Sequence, residues 1–154
     1  MSRRLRILLI GAGVVVFLVV SAILARFLAV ENIERSAVLD LLRAQARGDA
    51  PAMLALLPGC RGACAQAVRS DAASLRGPGD VTILNSMSAT AYSLSGATGF
   101  TRVAWKTPVR LPVVQCVRVR RSGNVLTGLS LTLVSLSTPI PGTGDCPGGG
   151  GSPL

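Results

Sequence analysis

Residues 101–121 read TRVAWKTPVRLPVVQCVRVRR, and the fold turns on how this stretch is parsed. On either side of a Pro-bracketed connection, Val103 and Trp105, then Val117 and Val119, alternate with Arg102 and Lys106, then Arg118 and Arg120. A period of two marks strands with one buried and one wet face, because successive side chains leave a strand on opposite sides. The connection from Thr107 to Pro112 is too short for a parallel crossover, so the two runs are antiparallel neighbours.

Working outward, Leu129, Leu131 and Leu133 alternate with Ser130 and Thr132 in the same way. Turn residues divide the chain after residue 80 into strands expected at 81–87, 90–95, 101–107, 112–121 and 125–136, with Ser122-Gly123-Asn124 as a hairpin loop. Upstream the period changes to that of a helix. Ile33, Ala37, Val38, Leu41 and Leu42 form an apolar stripe, with Glu34, Arg35, Asp40, Arg43 and Arg47 mainly opposite, until Gly48. Asp49 suits the cap of a second short helix that tolerates Pro51 in its first turn and ends at Pro58-Gly59. A third helix, about 62–75, puts Cys64, Val68, Ala72 and Leu75 on one face before GPGD at 77–80. Helices followed by antiparallel strands predict an α+β fold, three helices packed on a curved antiparallel sheet of four to five strands.

The start of the chain is of another kind. Ile7 to Ala25 (ILLIGAGVVVFLVVSAILA) carries no charge, and as a helix its nineteen residues reach roughly 28 Å, near the ~30 Å hydrocarbon thickness. Arg3, Arg4 and Arg6 precede it, so the positive-inside bias predicts a cytoplasmic N-terminus and a single pass into the cell membrane, with the C-terminal domain outside. A cleaved signal peptide is the rival, but the apolar run exceeds a usual h-region and no clean Ala-x-Ala site follows. The expected plan is a cytoplasmic basic stub at 1–6, a transmembrane helix at 7–25, a juxtamembrane connector at 26–32, an extracytoplasmic α+β roll at 33–141 and a Pro/Gly-rich tail at 142–154. From Val14 to Arg47 there is neither Gly nor Pro, so one long helix competes with a kink near Phe27 to Asn32.

Four cysteines on an oxidising side are expected to pair, and four allow three connectivities. Cys60 with Cys64 and Cys116 with Cys146 is the favoured set: the first two lie four apart, within disulfide reach in one helical turn or tight loop, and the second pair would staple the tail to the body. Because Cys116 shares its side of the strand with Arg118 and Arg120, that bridge would carry the tail across the outer face. A four-thiolate zinc site lacks the usual short spacing, and no metal or cofactor is expected.

The 154 residues hold 16 Lys+Arg against 7 Asp+Glu and no histidine, which excludes Ser-His-Asp, Cys-His and His-rich metal chemistry. The outer face of Arg102, Lys106, Arg118 and Arg120, extended by Arg110 and Arg121, is the candidate surface for anionic lipid, a polymer or an acidic partner; the bland alternative is a solvated strand face. Nucleic acid is disfavoured by the lack of interleaved aromatics. Trp105 and Phe100 are candidates for a ligand pocket, weighed against core packing. Asp49 reads as a cap and Asp80 as a turn residue, which leaves Asp40 and Asp71 without a partner suited to acid/base work.

The segments ERSAVLDLLRAQARGDAPAMLALL (34–57), TRVAWKT (101–107) and VVQCVRVRR (113–121) together resemble the nuclear-transport-factor-2-like, or cystatin-like, α+β roll over about residues 31–140. The resemblance implies a bitopic extracytoplasmic type found in bacterial envelopes, where such domains serve as assembly subunits, and the Arg- and Ala-rich composition fits a high-GC bacterium. Enzymes of that superfamily use an Asp/His or Asp/Tyr arrangement that cannot be carried over here. The expectation is a non-catalytic, membrane-anchored interaction or assembly module, self-association through the sheet included. The alternatives are a small-ligand or lipid-binding domain using the concave pocket and a degenerate isomerase or dehydratase in which Asp71 would reach that pocket.

Overall fold

The computed structural model describes residues 3–89, 97–124 and 128–147. The fold is α+β: among the described residues three helices, α1 (Arg3–Arg47), α2 (Ala50–Leu56) and α3 (Ala63–Ser74), precede four strands, β1 (Thr82–Ser88), β2 (Ala97–Lys106), β3 (Val113–Asn124) and β4 (Gly128–Leu136). The strands form one antiparallel sheet in the order β1-β2-β3-β4. The expected strand at 90–95 lies outside the described residues.

The chain divides into two units, Met1–Asn32 and Ile33–Leu154. In the first, Leu9, Ile10, Val14 to Val20, Ile23 and Leu24 are all exposed, so the helix is apolar around its whole girth. Among the described residues no helix is long and apolar enough to cross a membrane. The expected span begins at Ile7, two residues before the first described side chain, Leu9.

In the second unit the helices end where local chemistry dictates. Gly48 leaves α1 with φ +73°, a conformation that L side chains avoid, and a Cβ there would stand 3.0 Å from Arg76 Cδ and 3.3 Å from the Ala72 carbonyl oxygen. The Asp49 carboxylate accepts from the Ala52 amide at 3.0 Å, and Pro51 sits in the first turn of α2, where its missing N–H costs nothing. Val38, Leu41 and Leu42 of α1, Met53 of α2, and Val68 and Ala72 of α3 are buried in one core with Val103, Trp105, Val117, Val119 and Leu133 of the sheet.

The structure corrects three local expectations. First, Ser122-Gly123-Asn124 is not a loop: β3 continues to Asn124, which pairs with Gly128 of β4, and residues 125–127 lie outside the described residues. The second correction concerns the first turn of the helix in this unit, which is rotated from the expected phase. Ile33 is exposed and Glu34 is buried, because Glu34, Val38, Leu41 and Gln45 share the inward stripe at spacings of four, three and four. Third, the alternation in β4 does not run unbroken. A bulge where Arg118 faces Ser135 and Val119 faces Leu133 shifts the phase and brings Leu136 into the core. The side chain of Leu129 lies outside the described residues.

Candidate functional site

Register fixes which side chains share the outer face. Phe100 pairs with Arg118, Arg102 with Cys116, and Met87 of β1 with Arg102, so these five stand on one side of the sheet. Trp105 stands on the other. It is fully buried, and its indole N–H donates to Gln115 Oε1 at 2.8 Å while Gln115 Nε2 donates to the Ser137 carbonyl at 3.0 Å. Phe100 and Trp105 therefore share no cavity: Trp105 is a core residue whose polar edge is satisfied internally.

Beyond Leu136 the chain follows β3, with the Ser137 amide donating to the Cys116 carbonyl and the Ile140 amide to that of Val114. It then turns at Pro141 to Gly144, where the Gly144 amide donates to the Pro141 carbonyl at 2.8 Å, and returns over the outer face. Two tethers hold this strap: the Cys116–Cys146 disulfide and a hydrogen bond from Arg102 Nη2 to the Gly142 carbonyl. Cys116, on an outward position, is buried for that reason. The second disulfide, Cys60–Cys64, closes the loop between α2 and α3, so both expected bridges are formed.

Between strap and sheet lies a cleft of about 640 Å³, lined by Met87, Ser88 and Ala89, by Thr98, Gly99 and Phe100, by Arg102 and Arg118, and by residues 142–146. The Arg118 guanidinium carbon sits 5.6 Å from the centroid of the Phe100 ring, within cation–π range. Two of the four expected basic residues, Arg102 and Arg118, meet in this cleft. Lys106 and Arg120 are exposed on the same face outside it, and Arg110 lies in the turn after β2, where its amide donates to the Thr107 carbonyl.

Arg121 is not on this face. It points inward and forms a buried ion pair with Glu34, Nη2 to Oε2 at 2.5 Å and Nε to Oε2 at 3.2 Å, while the Thr101 hydroxyl donates to Glu34 Oε1. The signal was available in the sequence, since Arg121 continues the inward parity of Val117 and Val119, and Glu34 precedes Val38 by one helical turn. The strap residues Gly142 to Asp145 carried no such signal, because a Gly-rich loop has no period to read.

Asp71 is the second buried acid. It lies on the inward face of α3 beside Val68 and Ala72, and burial pushes its carboxyl up to about 6. It does not line the cleft, so carboxyl and arginines are separate features of the molecule. Among the described residues no group of three or more His, Cys, Asp or Glu could hold a metal ion. No protein-family description, curated protein or solved structure matches this chain.

Proposed function

We propose that this chain is a non-catalytic, membrane-anchored module that presents a disulfide-braced α+β domain outside the cytoplasm of a bacterium, for assembly with an envelope partner. The observation that carries the proposal is the sleeve of exposed apolar side chains from Leu9 to Leu24, a surface that water does not tolerate and lipid does. In this proposal the uncharged sequence from Ile7 to Ala25 serves as the anchor and the arginines before it set its orientation. Two closed disulfides and no free cysteine suit an oxidising compartment. The helices-then-strands order from residue 33 onward resembles the nuclear-transport-factor-2-like roll, which we retain as the fold family of this proposal.

The partner reading rests on the outer face, where Arg102, Lys106, Arg118 and Arg120 give a positive surface for an anionic lipid, polymer or protein. The concave-pocket alternative draws less support, because Trp105 is packed and hydrogen-bonded where that pocket would need space.

Membrane fractionation with alkaline extraction, followed by thiol labelling before and after reduction, tests the proposal. The expected result is an integral membrane protein whose four cysteines react only after reduction. Recovery from the soluble cytosolic fraction with four reactive thiols would sink it.

A further inference from the structure

The two arginines of the cleft are not equivalent. Arg102 is committed to the strap through the Gly142 carbonyl. Arg118 has no carboxylate within ion-pair distance among the described residues, although Asp145 lines the same cleft. Its guanidinium is held over the Phe100 ring, which restrains the side chain without consuming its N–H donors. An arginine pre-positioned on a ring surrenders little rotamer freedom when it binds, and its planar fork matches an oxyanion with two acceptor atoms. Thr98 and Thr143 add neutral polar residues to a lining that is otherwise more apolar than polar, so the cleft is amphipathic, of net positive charge and of small-ligand size.

We propose that the cleft between the strap and the outer sheet face binds an oxyanion group, carboxylate or phosphate, on a small ligand, with Arg118 as its bidentate donor. This deepens the partner reading above by naming the chemistry that the outer face takes. It also makes the Cys116–Cys146 bridge part of the site, because the bridge holds the second wall.

The test uses the full chain in dodecylmaltoside micelles, with arginine Nε–Hε signals followed by NMR at about 0.15 M salt, where diffuse surface attraction is screened. The probes are succinate, inorganic phosphate and the uncharged succinamide. The expected result is a saturable shift of the Arg118 signal with succinate or phosphate and none with succinamide. Whichever anion saturates at lower concentration identifies the oxyanion source. Arg118→Gln weakens binding at least tenfold, while Arg120→Gln, on the same face but outside the cleft, stays within about twofold. Equal losses in the two variants, an Arg118→Gln protein that binds unchanged, or a succinamide titration matching succinate would each overturn the site. Because binding is read in micelles, a negative result leaves the fractionation outcome standing, and a cytosolic protein that still bound through Arg118 would sink only the membrane proposal.

Discussion

Replacing Arg121 by Met tests the energetic weight of the Glu34–Arg121 pair. The side chains are 8% and 5% exposed, so both charges have left water, and the carboxylate is satisfied by the guanidinium and the Thr101 hydroxyl together. Methionine keeps much of the apolar stem but removes the charge, leaving the buried Glu34 carboxyl with the Thr101 hydroxyl as its remaining side-chain partner among the described residues. Breaking one partner of a buried pair costs about 3–5 kcal/mol, a large share of the roughly 5–15 kcal/mol that holds a domain together. At about 4–6 °C per kcal/mol, the midpoint should fall by roughly 12–30 °C. Glu34→Leu alone should cost a similar amount. The double replacement should come back to within about 1 kcal/mol of the parent, since a buried pair exchanged for apolar groups of similar volume is often neutral. Urea unfolding in micelles, followed by fluorescence of the single tryptophan, Trp105, reads the cycle cleanly because that indole is fully buried in the same sheet. Either single variant costing less than about 1 kcal/mol, or a double variant equal to the sum of the singles, would refute the reasoning.

Three further outcomes follow from the structure. Asp71 is held at about 6 by burial, above its ordinary value of 3.8, so its ionisation destabilises the fold. The protein should lose stability as pH rises from about 4 through 6, and Asp71→Asn should gain on the order of 1–2 kcal/mol at pH 8, after allowance for solvent screening, and nothing at pH 4, by urea titration at the two pH values. Loss of Cys116–Cys146, which spans 30 residues, should cost about 3–4 kcal/mol against about 2 for Cys60–Cys64, which spans 4, by loop-closure entropy in parallel Cys→Ser denaturation curves. Gln45 is fully buried with neither amide atom hydrogen-bonded among the described residues, so Gln45→Met should raise stability by about 1–2 kcal/mol, measured as an increased urea midpoint.

The sheet was legible because parity is a strong signal: the alternation through Arg102 to Lys106 and Cys116 to Arg120 assigned both faces, and the side on which Cys116 lies announced that the tail must cross the outer one. Helix ends were equally readable, since Gly48 and Asp49 each act through their own backbone chemistry. What failed was the assumption that charge means solvent. Glu34 and Arg121 occupy apolar positions of their periods, 87 residues apart, and only tertiary structure brings each the partner that permits burial. The cleft was half visible. Its arginines and Phe100 were found separately, but Phe100 was grouped with Trp105 although one stands at an even and the other at an odd strand position. The bulge in β4 falls where the alternation of Leu129, Leu131 and Leu133 gives way to Val134-Ser135-Leu136, a break in period that the expected regular strand passed over.

The meander order of the sheet bears on how the chain reaches this state. Each strand's neighbour is the segment adjacent to it in sequence, so the hairpins can zip successively as polypeptide emerges, with little entropy lost to long-range searching. Two events stand outside that progression: capture of Glu34 by Arg121, and closure of the final bridge over a finished surface. The first must await β3 and the second the segment beyond β4, so each closes only after the strands it spans have been made.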